Sequence, residues 1–313
     1  MSAKILRSTD SGAIKECVDA LTRSELVAVP TETVYGLAAL ATDKVAIKKI
    51  FSIKSRPPSH PLILHIADES DLEFWATDVS ETAKKLVGEF WPGPLTVILN
   101  RSDKVCDEIT GGRQTVAIRC PSHDVTRNLL LVLGSAIVAP SANKFGKVSP
   151  TSAQHVVEDL GDEIGLILDG GECTIGLEST VVDCTTHPPQ LLRAGAISVE
   201  QIRNACRVTV VEATGENRAP GMLDKHYAPN CRVVLAADDA DAKRQRDDFV
   251  KQGKSTRVLD HSTDLERYAH VLYDSLRQAD HDKIDVIVAV LAPNKGLGRA
   301  INDRLSKAAN SFK

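Results

Sequence analysis

The sequence predicts an α/β protein, with a larger domain around a mixed, twisted sheet and a smaller doubly wound unit after it. Three observations predict this. Up to about residue 210, short apolar runs of strand length are interleaved with amphipathic helical stretches, without strict alternation. A polar, turn-rich stretch follows at 212–231, EATGENRAPGMLDKHYAPNC, with two prolines and two glycines. From 232 onward strand and helix alternate cleanly, the pattern of a parallel sheet. The expected division is 1–211, a linker at 212–231, and 232–313.

Residues 9–24 predict a helix capped by Thr9 or Asp10, with Ile14, Cys17, Val18 and Leu21 on one face. Leu26–Val29 is an apolar strand ending at Pro30. Asp43 caps a second helix, in which Val45, Ile47, Ile50 and Phe51 are apolar, and Leu62–Ile66 is a strand. Ser80 opens a helix with Ala83, Leu86, Val87 and Phe90 inward. Leu95–Leu99, Thr115–Cys120, Ala136–Ala139 and Leu166–Leu168 read as strands. Val181–Cys184 and Gln190–Arg193 form a hairpin through Thr-Thr-His-Pro-Pro. The last unit reads strand 232–236, helix 238–252, strand 256–259, helix 264–279, strand 284–291, helix 298–310.

Composition narrows the function classes. The 313 residues carry 38 Lys and Arg against 42 Asp and Glu, a net charge of −4, which excludes a general nucleic-acid coat. With 6 Phe, 4 Tyr and 2 Trp, few aromatics are left for a platform that stacks successive bases. Seven scattered cysteines without a CxxC pair argue against a disulfide framework or zinc ribbon. Neither a signal peptide nor a membrane span is expected, so the chain is expected in the cytoplasm, with no membrane partner. No resident metal site is expected either. GxxxxGK[ST], HExxH and GxSxG are absent. Gly296-Leu-Gly298 matches part of a dinucleotide fingerprint, but it opens the last helix, where a tight turn explains it better.

Five clusters remain, all at strand ends or in loops. Pro30-Thr-Glu-Thr-Val-Tyr-Gly-Leu37 follows a strand; a surface turn accounts for its Thr and Glu, but not for Tyr-Gly at its end. Lys54-Ser-Arg56-Pro-Pro-Ser-His60-Pro-Leu62 leads to His65. A helix dipole explains the cations there, but not the two histidines beside an apolar strand. Arg119 ends an apolar strand, where a buried arginine needs a carboxylate partner. Ala139-Pro-Ser141-Ala-Asn143, with Gly146 and Ser149-Pro-Thr151, offers small hydroxylated residues for close approach to phosphate or ribose, or alternatively a long turn before a helix. Gly176-Leu-Glu-Ser179-Thr and Arg193 are equally ordinary hairpin chemistry. Singly, each bland reading holds as well as the functional one. Together, cations and hydroxyls at strand ends point to a ligand pair bearing phosphate and carboxylate.

These same clusters, with Gly176–Asp183, Pro220-Gly-Met222, Lys225-His-Tyr-Ala-Pro229 and the tail Gly296–Leu305, resemble the YrdC-type L-threonylcarbamoyladenylate synthases in their long, two-domain form. The resemblance runs over nearly the whole chain. It implies a YrdC-like catalytic domain with a small Rossmann-like domain after it. It also implies one reaction, in which L-threonine, bicarbonate and ATP, with Mg²⁺, give threonylcarbamoyl-AMP and pyrophosphate. The product serves threonylcarbamoyladenosine modification of tRNA through a downstream threonylcarbamoyl transferase, with at most weak tRNA contact by this chain.

By motif match, Lys54 and Arg56 are the catalytic cations. Arg56, His60, Thr115, Ser141, Asn143, Ser149, Arg193 and Tyr227 are expected on ATP, and Thr33, His65, Arg119, Ala139 and Ser179 on threonine. Tyr227 is expected as part of a lid. Ala219 and Leu223-Asp224 depart from the family's linker pattern. The competing readings are an RNA-binding module without catalysis and a carbamoyl-adenylate enzyme with another acceptor.

Overall fold

The computed structural model describes residues 3–213 and 227–311. The expected linker therefore lies mostly outside the described residues, including its Pro220-Gly-Met222 and Lys225-His226 motifs. In chain order the first half holds β1 (Lys4–Arg7), α1 (Ala13–Thr22), β2 (Val27–Val29), β3 (Gly36–Leu40), α2 (Lys44–Lys54), β4 (Ile63–His65), α3 (Leu72–Trp75), β5 (Ala76–Thr77), α4 (Glu81–Phe90) and β6 (Leu95–Arg101). Then come α5 (Asp107–Thr110), β7 (Thr115–Arg119), α6 (Asp124–Leu133), β8 (Ile137–Val138), α7 (Ala153–Leu160), β9 (Leu166–Asp169), β10 (Thr180–Asp183), β11 (Gln190–Arg193), α8 (Val199–Cys206) and β12 (Val211–Glu212). The C-terminal unit has β13 (Arg232–Ala236), α9 (Asp239–Lys251), β14 (Thr256–Leu259), α10 (Leu265–His281), β15 (Val286–Val290) and α11 (Leu297–Asn310).

Two sheets result. The large one runs β1-β9-β2-β3-β8-β4-β7-β6-β10-β11-β12, with β5 on β6. It is mixed: β4 lies parallel to β7 and β6 parallel to β10, while β3 and β8, and β6 and β7, are antiparallel. The small sheet, β13-β15-β14, is wholly parallel. The mixed α/β class with a Rossmann-like second unit is what the sequence predicts.

Side-chain alternation explains how the large sheet is covered. Val27 and Val29 of β2 face α1 and α6 with Cys17, Leu21, Leu129 and Leu130, whereas Ala28 faces the main core with Ile47, Ile50, Leu86 and Val156. On β4 and β7, Leu64 and Ile118 join that main core, and Ile63 and Ala117 sit on the opposite face. His65 and Arg119, two residues on from these, share that opposite face and are register partners.

The structure corrects some boundaries. The first helix begins at Ala13, not near Thr9, and neither expected cap serves it. Asp10 instead accepts from the Arg7 amide, and Gly12 in the left-handed region starts the helix. β1 and β3 were not expected. Asp43 and Ser80 do cap α2 and α4 as expected, through Val45 and Ala46, and through Ala83.

Candidate active site

The strand ends converge on one cavity of about 60 Å³, lined by Thr33, Val34, Arg56, Leu62, Ile63, His65, Arg119, Ala139, Pro140, Ser141, Glu178, Ser179, Arg193 and Tyr227. That holds a handful of waters and is too small for a nucleotide with an amino acid. Gly36 makes the convergence possible. A Cβ there would stand 2.9 Å from the Ala139 Cβ, so only glycine lets β3 lie against the 139–141 segment.

Arg119 anchors the floor. Its Nη2 pairs with Glu32 at 2.7 Å, Nη1 donates to Thr33 Oγ1 at 2.8 Å, and Nε donates to the Gly93 carbonyl. Burial alone would raise the Glu32 carboxyl, but the Arg119 charge and the hydrogen bonds to Glu32 outweigh it, and its pKa lies below the usual range. The Thr31 hydroxyl donates to the Val34 carbonyl at 2.6 Å, accepts from the Thr33 and Val34 amides, and lies 2.8 Å from Thr33 Oγ1, which it holds beside Arg119.

His65 is buried beside Arg119, and burial first, then the Arg119 charge, pushes its pKa down to about 3. The imidazole is neutral at physiological pH. Its Nδ1 lies 3.1 Å from the Ile63 carbonyl, which can only accept, so Nδ1 carries the proton and Nε2 is an acceptor.

The opposite side is cationic. Arg56 donates from Nη2 to the Pro61 carbonyl and lies 5.8 Å from the Phe145 ring. Its Nε is buried without a hydrogen-bond partner among the described residues. Burial, then the nearby Arg193, lowers its pKa to about 10, so it is still charged at neutral pH. Arg193 donates to both the carbonyl and the hydroxyl of Ser179, whose Oγ lies 2.7 Å from Thr96.

Of the expected site residues, Thr33, Arg56, His65, Arg119, Ala139, Ser141, Ser179, Arg193 and Tyr227 line this cavity. Five do not. Lys54 lies behind the wall, its ammonium spent on the Ser141 carbonyl at 2.6 Å and on that of Asn143. Complete burial, then the Arg56 charge, lowers its pKa well below the usual lysine range. His60 stands in the proline loop, its ring 5.5 Å from Phe145. Thr115 is at the far end of β7 from Arg119, opposite Asn100. Asn143 is buried, donating to the carbonyls of Lys144 and Lys147, and its Oδ1 has no partner among the described residues. Ser149 donates to Glu178 at 2.7 Å.

Glu178, Tyr273 and Arg304 are not among the site residues the sequence predicts. Glu178 lines the cavity and accepts from Ser149, Tyr273 and Arg304. Burial would raise its carboxyl, but Arg304 and Arg193 with these hydrogen bonds pull it down to about 2. A signal for Arg304 was present: it stands between Ala300, Ile301, Leu305 and Ala308, the buried face of α11, where a charge needs a partner.

A family model described as telomere recombination, for Sua5, YciO and YrdC, matches residues 19–195. A second, described as the threonylcarbamoyl-AMP synthase C-terminal domain, matches 197–310. A Pyrococcus abyssi protein named threonylcarbamoyl-AMP synthase is 41% identical, covering 91% of this chain and 90% of its own length. A Bacillus subtilis protein of the same name is 40% identical, covering 96% and 94%. The crystal structure of P. abyssi Sua5 complexed with L-threonine superposes with a TM-score of 0.92 at 39% identity, over 99% of this chain and 98% of that one.

Proposed function

The chain belongs to the Sua5/YrdC family of threonylcarbamoyl-AMP synthases, and from that premise we propose how its residues make that product from L-threonine, bicarbonate and ATP, releasing pyrophosphate. The observation that carries the reading is the pairing of two kinds of subsite around one cavity, which has to widen for ATP to enter: Arg119, Thr33 and neutral His65 on one side, Arg56 and Arg193 on the other. Residues 1–211 are read as the catalytic domain, 212–231 as linker and lid, and 232–313 as the C-terminal domain.

Threonine binds against Arg119, whose guanidinium takes the carboxylate. The Thr33 hydroxyl hydrogen-bonds the amine. His65 Nε2 accepts from the threonine hydroxyl, with Ala139 and Ser179 closing the pocket. The amine attacks bicarbonate and water leaves, giving a carbamate whose oxygen then attacks the α-phosphorus of ATP, and pyrophosphate leaves on the opposite side. Arg56 and Arg193 spread the charge that develops on the phosphates and Ser141 serves the nucleotide side, while the family resemblance alone puts His60, Thr115, Asn143 and Ser149, which do not line the cavity, on that side. Lys54 acts by fixing the Ser141 and Asn143 carbonyls. Tyr227, at 1% exposure, closes a wall and keeps water from the mixed anhydride.

Mg²⁺ enters with the ATP phosphates as part of that substrate. Glu178, the carboxylate lining the cavity, is already held by Arg304, Tyr273 and Ser149, and Glu32 by Arg119. The product serves tRNA modification through a separate transferase. The seven cysteines, all free and five of them buried, suit a reducing, cytoplasmic setting. No helix among the described residues is long and apolar enough to cross a membrane.

The test is pyrophosphate release from ATP, bicarbonate and Mg²⁺ with and without L-threonine. Threonine-dependent release is expected. Release with serine or carbamoyl phosphate but none with threonine would overturn the assignment of the amino acid. Salt-dependent tRNA binding without any turnover would overturn catalysis itself.

A further inference from the structure

We propose that Arg304 of the last helix is a positioning residue for the reaction: through its ion pair with Glu178 and its contact with the Tyr227 ring, it sets the wall that faces the nucleotide. The inference deepens the reading above and rests on it. Its consequence is that the C-terminal unit completes the site.

Arg304 has no solvent exposure. Its Nε donates to Glu178 Oε2 at 3.1 Å, and the Tyr273 hydroxyl donates to the same oxygen at 2.6 Å. Both donors come from the C-terminal unit, from α11 and α10. The Tyr227 ring stacks on Tyr273 at 5.4 Å between centroids, and the Arg304 guanidinium lies 5.3 Å from the centre of the Tyr227 ring. Tyr227 is held at φ 59, a backbone region costly for a tyrosine, which needs surroundings that over-determine it. Two cavity-lining residues, Glu178 and Tyr227, are thus placed by side chains that do not line the cavity.

The loop carrying Glu178 is clamped from the same side. Gly176 has φ +77, and a Cβ on it would lie 2.6 Å from the His270 carbonyl of α10. The loop backbone and α10 therefore touch where no side chain fits.

Charge gives the arrangement its catalytic meaning. Arg193 and Arg304 both act on the Glu178 carboxylate. Arg304, whose Nη1 also pairs with Asp303 Oδ2 at 2.6 Å, offsets the Glu178 charge while the charge of Arg193 faces the phosphates. Without Arg304, Glu178 becomes an uncompensated buried anion that draws on Arg193. The defect is then one of ATP handling, with threonine binding, on the Arg119 side, little changed.

The experiment measures KM and kcat for both substrates in Arg304→Met, Arg304→Lys, Tyr273→Phe, Glu178→Gln and Arg304→Met/Glu178→Gln. For Arg304→Met, kcat/KM for ATP is expected to fall by about tenfold or more, with the threonine KM changed less than about twofold. Arg304→Lys recovers part of the loss, and the double variant is far better than the product of the singles. Tyr273→Phe removes only a hydroxyl, is expected to cost about threefold in the same direction, and decides the matter if Arg304→Met does not fold. A cooperatively folded Arg304→Met with wild-type ATP kinetics, an equal loss for both substrates, or strictly multiplicative effects would overturn the proposal. Calorimetric binding of α,β-methylene-ATP separates the two readings. A wild type that binds this analogue but releases no pyrophosphate from ATP, bicarbonate and threonine refutes the function, while equal binding by wild type and Arg304→Met refutes the positioning role.

Discussion

Glu32 Oε1 lies 2.7 Å from Arg119 Nη2, and both side chains are buried to within 6% exposure. Neither charge has water to fall back on. Replacing Glu32 by Gln leaves the guanidinium uncompensated, and the expected cost is about 3–5 kcal/mol of folding stability, read from urea denaturation. Arg119→Ala is expected to raise the threonine KM by about a hundredfold with ATP binding retained, since it removes a charge-assisted contact to the carboxylate. A threonine KM that stays at the wild-type value would remove Arg119 from that subsite.

Arg56 keeps a buried Nε proton without a partner among the described residues. Arg56→Ala is expected to lower kcat/KM for ATP by about 10²–10³, as when an aligned donor is lost from a developing charge. Arg56→Lys keeps the charge but not the planar fork, and most of the loss should persist. Steady-state pyrophosphate release checks both, and full activity in the lysine variant would show that charge alone suffices.

Lys54 works at one remove. With its ammonium gone, in Lys54→Met, the Ser141 and Asn143 carbonyls lose a shared donor. Turnover is expected to fall by about a hundredfold, and amide hydrogen exchange across residues 139–145 to quicken by about tenfold. Lost turnover with unchanged exchange would instead place Lys54 on the substrate.

Stability should fall as the solution turns acid, in two stages. His65 is neutral when folded down to about pH 3, while in the unfolded chain it takes a proton near 6.5, so the unfolded state binds more protons between these values. Stability is complete above pH 6.5 and declines below it. Glu178, held at about 2 against 4.5 when unfolded, has the same sign and adds a second decline below pH 4.5. Chemical denaturation at a series of pH values should show both, and His65→Gln should flatten the upper stage. His60, His123 and His155, also lowered chiefly by burial, will leave a residual slope there.

Much of this was legible in the sequence because the signals were local. β13 and β14 follow apolar runs rich in β-branched residues, and Asp43 and Ser80 announce helices with their own side chains. β3 was not legible, because GLAAL offers no β-branched residue and owes its place to the narrow gap beside Ala139. Thr9 and Asp10 look like caps, but Asp10 accepts from Arg7 in the turn before the helix, and propensity alone does not tell a cap from a turn. In the site, the motifs name the residues without telling which atoms reach the cavity. Lys54 and Arg56 are two positions apart, yet one turns inward to carbonyls and the other lines the wall. The roles of Arg304 and Tyr273 depend on contacts across more than ninety residues of sequence, which no window of local pattern contains.

Val34, Val148 and Leu177, from the chain around the large sheet, share one apolar cluster with Tyr273, Ile301 and Leu305. Melting either half would strip that shared cluster of its other side, so neither half can open at its own temperature. Calorimetry on the full chain should record a single heat-absorption peak, with its van't Hoff and calorimetric enthalpies in agreement.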